Sequence, residues 1–205
     1  MDFNEKSKTW DSEYRVNRAK KISEEIGSYL NNESKGLEFG CGTGLISFGL
    51  IDSFKEFTLI DLSEGMINVV NEKIKENSID NMKTWCGDIL NLESDEKYDV
   101  IYTSMALHHI ENLEETLSKL NSFLNISGKI IIVDLTKDDG SFHDKDFKGH
   151  NGFDIGEIKA ILRKSGFDAL NDGRVFYSDF KDIEDKKHKY SLFSICGIKK
   201  ENCED

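Results

Sequence analysis

The 205-residue sequence predicts a doubly wound α/β domain with a mostly parallel sheet. Two patterns indicate this fold class. Short apolar runs alternate along the chain with longer amphipathic runs, which is typical of parallel βαβ units. In addition, a glycine-rich turn follows the first apolar run, and acidic residues lie at the ends of three successive predicted strands. In doubly wound sheets ligands bind at strand ends, so these residues predict a ligand site there.

The predicted helices and strands follow one another in a regular order. The first half contains a helix at 11–30, a strand at 35–39, a helix at 44–53, a strand at 56–61 and a helix at 63–77 started by Ser63. Strands at 82–86, 97–103 and 128–135 come next, with a helix at 112–124 that Ser127 and Gly128 close. The chain ends with a helix at 154–166, capped by Gly166, and strands at 169–177 and 188–197.

The turn after the first strand carries glycines at positions 40, 42 and 44. Glycine has no Cβ, so a ligand can approach its backbone closely. A dinucleotide fingerprint, Gly-x-Gly-x-x-Gly, would place its third glycine at Leu45. Glu38 precedes Gly40 by two residues, and a carboxylate there would repel a pyrophosphate and suit a cation. The turn therefore predicts a small ligand that is cationic at its reactive end.

Two further acids follow at the ends of the next two strands. Asp61 lies twenty-one residues after Gly40, where nucleotide-binding βαβ units hold a ribose. Asp88 follows the strand at 82–86, where it could accept a hydrogen bond from an adenine amine. Each acid alone could instead belong to a helix start or cap a short turn. Together with the glycine turn, the three acids predict an adenosyl sulfonium.

Four segments resemble, in order and spacing, the motifs of class I S-adenosylmethionine-dependent methyltransferases. They are Glu38 to Gly44, Ile60 to Met66, Gly87 to Ile89 and Tyr98 to Ile110. The resemblance covers residues 35–135 and implies a seven-stranded Rossmann-like sheet with an antiparallel C-terminal hairpin. It also implies S-adenosylmethionine as cofactor and methyltransferase activity. Residues 138–143 and 150–154 are similar to one small-molecule-type bacterial subgroup.

The resemblance extends to individual cofactor-binding residues. Ser104 and Met105 lie where the family lines the methionine part of the cofactor, although Met105 could equally belong to the core. Residues 10–15 resemble a cofactor-capping segment, in which Arg15 or Arg18 could clamp the cofactor carboxylate; the alternative is a helix start with an apolar staple. The predicted cofactor-binding residues are Glu38, Gly40, Cys41, Gly42, Asp61, Leu62, Asp88, Ile89, Ser104, Trp10 and Arg15.

Three histidines are the candidate catalytic residues. The resemblance places His109 near the transferred methyl, with a structural loop histidine as the alternative. His143 and His150 belong to a long segment at 136–153, which we interpret as a lid on the active site rather than a solvated loop. Their spacing matches no metal-ligand pattern, so no metal is predicted. An amine, phenol or thiol acceptor could lose its proton to His109 or His143, since the ordinary histidine pKa is about 6.5.

The composition excludes several classes of partner. The formal net charge is −12, with 39 acidic against 27 basic residues, and this disfavours a nucleic-acid partner. The basic run at 186–189 is interpreted as a solvated strand start. No apolar stretch approaches the roughly 18 residues of a membrane span, so no membrane partner and a cytoplasmic location are expected. The four cysteines form no Cys-x-x-Cys pair and are expected to be reduced structural thiols.

The sequence thus predicts a single methyltransferase domain over 1–205, with a cofactor-capping helical segment at 1–30 and an active-site loop at 136–153. The methyl acceptor is expected to be a small molecule that attacks by direct displacement. The chain has no proline, and Thr103 to Ala106 stand where enzymes acting on base amines or glutamine carry a Pro-Pro motif, so that subclass is excluded. Two alternatives remain open, a nicotinamide-dependent oxidoreductase and a non-catalytic cofactor-binding module. The oligomeric state is not predicted.

Overall fold

The computed structural model describes residues 2–31, 33–143, 146–169, 171–183 and 186–200. Its strands are β1 Glu33–Phe39, β2 Phe54–Asp61, β3 Met82–Cys86, β4 Tyr98–Ser104, β5 Leu124–Leu135, β6 Phe167–Ala169, β7 Arg174–Ile183 and β8 Lys186–Lys199. Its α-helices are α1 Phe3–Lys6, α2 Glu13–Gly27, α3 Glu64–Glu76, α4 Leu113–Ser122 and α5 Ile155–Lys164. Short 3₁₀ helices cover Ser7–Thr9, Ser47–Ser53, Ile89–Asn91 and Leu107–His109.

All eight strands belong to one sheet, in the order β3-β2-β1-β4-β5-β8-β6, with β7 also paired to β8. The pairs among β1 to β5 are parallel, whereas β8 runs antiparallel to β5, β6 and β7. Because β6 and β7 pair with different parts of β8, they share one position beyond it. The sheet therefore has seven strand positions, and the predicted mostly parallel fold with an antiparallel C-terminal hairpin is confirmed.

Helices cover both faces of the sheet. Residues of α2 and α3, such as Ile22 and Val70, belong to one buried cluster with the sheet. Residues of α4 and α5, such as Leu117 and Ile158, belong to the other. The central strands contribute to both clusters and are almost fully buried, which agrees with the apolar runs of a parallel sheet. Within the described ranges, no helix has the length and hydropathy needed to cross a membrane.

The helix predicted at 63–77 shows how local sequence sets an element boundary. Ser63 is its N-cap, and the Ser63 hydroxyl accepts a hydrogen bond from the Met66 N–H at 3.2 Å. Met66, Ile67 and Val70 lie on one buried stripe at helical spacing. The predicted start is confirmed. Gly166, with φ of +86°, likewise follows the end of α5 as predicted.

The prediction of an α-helix at 44–53 is wrong, because the structure has a 3₁₀ helix at Ser47–Ser53 instead. Gly49 lowers the helix propensity of this segment by about 1 kcal/mol relative to alanine. A Cβ at Gly49 would also lie 2.7 Å from the Ser23 hydroxyl of α2. The segment is thus held close beneath α2 by a residue that disfavours an α-helix.

The remaining differences concern ends of elements. The helix predicted at 112–124 already ends at Ser122, so Ser127 and Gly128 do not close it and instead lie within β5. The strand predicted at 169–177 is divided into β6 and a longer β7 that begins at Arg174. Asn171, Asp172 and Gly173, which are typical of turns, precede β7. Of the three cysteines in the described residues, Cys41 and Cys196 are buried, and Cys86 is exposed at the end of β3.

Candidate active site

The glycine turn connects the ends of three neighbouring strands. The N–H groups of Gly40 and Cys41 both donate to the Ile60 carbonyl of β2, at 2.8 and 3.0 Å. Gly40 has a φ of +76°, and a Cβ there would lie 2.5 Å from the Ala106 Cβ that follows β4. Only glycine satisfies both the backbone angle and the space at this position. The turn is therefore a close-fitting backbone surface at the carboxyl edge of the sheet.

Asp61 ends β2 directly beneath this turn. Its carboxylate accepts hydrogen bonds from the Gly42 N–H at 2.8 Å and the Ser63 N–H at 2.9 Å. Burial raises the Asp61 pKa, and these two backbone donors oppose the rise. The next side chain, Leu62, is 74% exposed. This edge of the sheet therefore presents an apolar side chain, Leu62, next to the Asp61 carboxylate.

Asp88 occupies the corresponding position after β3. It is the N-cap of the short 3₁₀ helix Ile89–Asn91, and its carboxylate accepts a hydrogen bond from the Leu90 N–H at 3.0 Å. The alternative role, capping a short turn, is therefore present in the structure, while Asp88 stays exposed and its second oxygen is available to a ligand. Ile89 is buried, so a ligand would meet its backbone rather than its side chain.

Glu38 lies below the glycine turn, almost fully buried at 1% exposure. The hydroxyls of Ser47 and Tyr102 donate to its carboxylate, Tyr102 at 2.9 Å. Burial raises the Glu38 pKa to about 8, although these two donors oppose the rise. Glu38 is therefore protonated at neutral pH in this structure. A nearby cation would favour its ionised form.

The end of β4 presents two buried hydroxyl groups. Thr103 and Ser104 are 0% and 5% exposed, and their hydroxyl oxygens form no hydrogen bond with any described residue. Met105 follows with a φ of +54°, a strained conformation for a side chain of this size. Buried polar groups are normally hydrogen-bonded. The Ser104 hydroxyl next to the turn therefore indicates a missing ligand group.

An N-terminal strap, residues 2–12, crosses this edge. Its Asn4 side-chain carbonyl accepts hydrogen bonds from the Ser63 hydroxyl at 2.8 Å and the Gly65 N–H at 2.9 Å. Its Asp11 carboxylate binds the Thr43 hydroxyl at 2.5 Å and the Lys73 ammonium at 2.6 Å. Asn4 thus attaches the strap to the start of α3, and Asp11 attaches it to the glycine turn and to α3. The strap thus covers the predicted site from the solvent side.

Trp10 and Arg15 lie at the end of the strap. The nearest heavy atom to a Cβ built on Gly42 is the Trp10 indole nitrogen, 3.9 Å away. Arg15 stacks its guanidinium 4.1 Å from the Trp10 ring centre and donates to the Trp10 carbonyl at 3.1 Å. Burial lowers the Arg15 pKa, but it stays a cation at neutral pH. Arg18 lies farther along α2, over the Tyr14 ring at 5.4 Å.

His109 lies among aromatic rings from the strap and the 136–153 loop. The rings of Phe3 and Phe147 meet it edge-on, with centroids at 5.4 and 5.3 Å. Burial and the neighbouring His108 lower the His109 pKa to about 4, although part of the residue remains open to solvent. Its imidazole is therefore neutral and weakly basic at pH 7. The lowered pKa makes His109 a weaker base than an ordinary histidine, and its role as a proton acceptor stays a prediction.

The structure brings His143 to the same cluster and holds His150 outside it. The His143 ring stacks on Phe147 with centroids 3.6 Å apart, and it is 5.0 Å from His108. His150 instead places its Nε2 2.9 Å from the Ile110 carbonyl, while its backbone N–H donates to the His108 carbonyl at 2.8 Å. The predicted loop thus contributes the rings of His143 and Phe147 to the cluster, and His150 connects the loop to the segment after β4.

A histidine–aspartate pair that the sequence did not predict lies beneath these rings. Nδ1 of His108 is 2.6 Å from Oδ1 of Asp134 at the end of β5, and both residues are nearly inaccessible to solvent. Asp134 also accepts from the backbone N–H groups of His108 and Leu135. Ser104 pairs with Val133 in the sheet, so an acid after Val133 had to lie near the His-His segment. The alignment of β4 with β5 is therefore the feature from which the His108–Asp134 pair could have been predicted.

Other parts of the described structure offer no competing centre. In the ranges that the structure describes, no three histidine, cysteine or acidic side chains are grouped to hold a metal ion. Two open grooves, of about 530 and 390 Å³, lie beside α2. One borders the Ser47–Ser53 helix and the other borders β7, and both are away from Asp61 and Ser104. Residues of the strap and of the loop, Trp10 and Phe147, lie over the strand ends.

Comparisons with known proteins agree with this geometry. A family model described as a methyltransferase domain matches residues 30–151, more than half of the chain. An uncharacterized methyltransferase of Schizosaccharomyces pombe is 37% identical over 116 residues, which are 52% of this chain and 40% of the relative. A malonyl-[acyl-carrier protein] O-methyltransferase of Priestia megaterium is 31% identical over 134 residues, 63% of this chain and 48% of the relative. This chain therefore matches about half the length of these relatives.

A solved structure extends the similarity to the whole fold. The S-adenosylmethionine-dependent methyltransferase from Clostridium acetobutylicum superimposes with a TM-score of 0.67 at 18% identity. The superposition covers 96% of this chain and 96% of that one. At this identity the match concerns the fold alone. It includes the C-terminal strands that lie beyond the region matched by the family model.

Proposed function

Since this chain belongs to the class I S-adenosylmethionine-dependent methyltransferases, we propose that it transfers a methyl group to a small-molecule acceptor at the carboxyl edge of its sheet. The observation that carries this proposal is the buried Ser104 hydroxyl, which lacks a partner among the described residues beside a close-fitting glycine turn. A polar ligand group at that point would complete the hydrogen bonding.

The residues at the edge fit S-adenosylmethionine in three parts. Asp61 and the exposed Leu62 suit a ribose and the face of an adenine, respectively. The glycine turn and Ser104 suit the methionine part, where backbone approach and a free hydroxyl are needed. Trp10 and Arg15, above Gly42, suit the carboxylate end and would shield it from water. These roles are proposals for the predicted cofactor-binding residues.

The protein's contribution to catalysis is alignment and exclusion of water. When bound, S-adenosylmethionine supplies an electrophilic methyl group. The strap and the aromatic rings of Phe3, His109 and Phe147 cover part of the strand ends and would limit the access of water to the reacting groups. In this proposal the glycine turn and Ser104 hold the cofactor, and the loop confines the methyl acceptor. Because both reactants are bound, their reaction avoids the entropy cost of a free encounter. An acceptor that must lose a proton also needs a base at this edge.

The covering of the site and the charge of the protein support a small acceptor. The strap and the loop lie over the strand ends, and the net charge of −12 disfavours nucleic acid. The Priestia megaterium relative is named for its action on malonyl-[acyl-carrier protein]. A single domain and a cytoplasmic location complete the proposal.

Calorimetry and turnover test this function directly. We expect S-adenosylmethionine and S-adenosylhomocysteine to bind, and NAD not to bind, because Leu45 stands where a dinucleotide-binding turn needs its third glycine. Labelled methyl should appear in one class of a panel of phenols, amines, thiols and carboxylates. Binding of NAD alone would favour an oxidoreductase. Tight S-adenosylmethionine binding without turnover of any acceptor would favour the non-catalytic module.

A further inference from the structure

The His108–Asp134 pair has the geometry of an oriented base. Asp134 is buried and receives three N–H donors at its two oxygens: the His108 backbone, the Leu135 backbone and the His108 ring. A carboxylate only accepts hydrogen bonds, so the His108 proton lies on Nδ1. The other ring nitrogen, Nε2, then carries a lone pair. A carboxylate that fixes this tautomer also stabilises the imidazolium formed when Nε2 takes up a proton.

The pair lies where an acceptor must approach. Its anchor, Asp134, ends β5, and Ser104 ends the adjacent β4, with Ser104 and Val133 paired in register. The rings nearest to His108 are those of His109, His143 and Phe147, with centroids at 4.2, 5.0 and 6.1 Å. Because the His108 side chain is 3% exposed, an acceptor reaches its ring only if neighbouring rings move aside.

We propose that His108 is the proton acceptor of the methyl transfer, that Asp134 is its positioning residue, and that the acceptor is a hydroxyl on an aromatic body. This rests on the proposed function. The acceptor oxygen forms a bond to the methyl carbon, and the carbon–sulfur electron pair goes to sulfur. The hydroxyl proton goes to Nε2 of His108, which becomes an imidazolium held by Asp134 and later releases the proton to water.

The presence of a base selects among acceptor classes. A carboxylate acceptor has a pKa near 4 and is ionised at pH 7, so it needs no base. A phenol has a pKa near 10 and keeps its proton until a base removes it. The surrounding rings of His109, His143 and Phe147 would pack favourably against a flat aromatic acceptor. The site thus fits a phenolic hydroxyl better than a carboxylate.

The first test observes the pair without turnover. In ¹⁵N NMR of the wild-type protein with and without S-adenosylhomocysteine, we expect His108 to be the Nδ1–H tautomer with an unprotonated Nε2 at pH 7.5. Asp134→Asn should abolish this fixed tautomer. A protonated Nε2 in the wild-type protein would overturn the proposal, whether or not any acceptor is methylated.

The second test uses matched probes, 1-naphthol and catechol against 1-naphthoate and benzoate. We expect methylation of the hydroxyl probes only, with kcat rising with pH through one ionisation. His108→Gln and Asp134→Asn should each lower kcat by about 100-fold or more, while the Kd for S-adenosylhomocysteine stays within about twofold. The matched control, His188→Gln on β8, should keep both values.

The outcomes separate this inference from the proposed function. Failure to bind S-adenosylhomocysteine would contradict the proposed function itself. Cofactor binding with methylation of the carboxylates, or with no methylation of either hydroxyl probe, would overturn the phenolic assignment. Wild-type kcat in folded His108→Gln would overturn the assignment of His108 as proton acceptor.

Discussion

At the scale of single residues, Asp61 has two tasks in the structure. Its carboxylate orients the glycine turn through Gly42 and the start of α3 through Ser63. A bound ribose would add hydroxyl donors to the same oxygens. Because a carboxylate accepts at several positions at once, the structural bonds do not exclude the proposed ligand. In this proposal Asp61 both fixes the conformation of the glycine turn and binds the ribose.

Asp61→Asn is expected to weaken binding of S-adenosylhomocysteine by about 1.5 to 3 kcal/mol, because a hydrogen bond to a charged group becomes one to a neutral amide. Isothermal titration calorimetry measures this change. The control is Asp80→Asn, an exposed acid just before β3, which should leave affinity unchanged. Wild-type affinity in Asp61→Asn would contradict the ribose assignment.

The individual side chains show where sequence reasoning reaches its limit. Gly40 and Asp61 could be recognised because their spacing is local and each has a specific backbone role. Glu38 was correctly placed near the turn, but its protonated state depends on Ser47 and Tyr102, which approach from distant parts of the chain. His108 was passed over because its partner Asp134 is 26 residues away. Only the strand register makes them neighbours.

At the scale of elements, the strap is held to α3 through Lys73. The Lys73 ammonium binds the Asp11 carboxylate at 2.6 Å and the Thr43 carbonyl at 2.7 Å. One side chain therefore connects the strap, the glycine turn and a helix of the main fold. Since both the cofactor and the acceptor lie beneath the strap in the proposed site, their exchange requires this connection to open.

Lys73→Met is expected to speed release of S-adenosylhomocysteine by roughly 2- to 5-fold, because a partly exposed ion pair contributes up to about 1 kcal/mol. Stopped-flow fluorescence of Trp10, which lies over Gly42, measures the release rate. The matched control is Lys75→Met in the same helix, whose side chain is exposed. Equal release rates in both variants would show that the connection does not limit exchange.

Element prediction succeeded where a cap and a periodic stripe coincide. Ser63 and the stripe of α3 fixed both the type and the start of that helix. The segment at 44–53 has apolar residues at similar spacing, yet tight packing at Gly49 against α2 gives a 3₁₀ helix. The long loop could be recognised from its composition. The approach of its His143 to His108 and His109 brings together residues that are more than 30 positions apart, which no local pattern indicates.

At the scale of the whole molecule, the sheet gathers several acids at one edge. Glu38, Asp61 and Asp134 end or lie near the ends of three different strands and are all largely buried. Folding must therefore accommodate negative charge that the unfolded chain exposes to water. Glu38 does so by keeping its proton, since it has hydroxyl donors but no cation beside it among the described residues. Its burial should consequently affect the stability of the entire domain.

The contribution of Glu38 to the free energy of unfolding is expected to fall as pH rises from about 4.5 to about 8. The folded-state pKa of Glu38 is raised from 4.5 to about 8, so in this window Glu38 holds a proton in the folded protein that it has lost in the unfolded chain. The slope contributed by one such group is about 1.4 kcal/mol per pH unit. Below 4.5 both states are protonated, and above 8 both are ionised, so the contribution is constant there.

Glu38→Gln should remove this slope, because an amide of nearly the same shape does not titrate. Urea unfolding of the ligand-free protein at pH 5.5, 6.5 and 7.5 gives the comparison, and the variant should lose less stability than the wild type over this range. Glu93→Gln, at an exposed site, is the control and should retain the wild-type slope. The same slope in Glu38→Gln and wild type would show that Glu38 is already ionised in the folded protein. Saturating S-adenosylmethionine should also flatten the wild-type curve, because a cation beside Glu38 would lower its pKa toward the unfolded value.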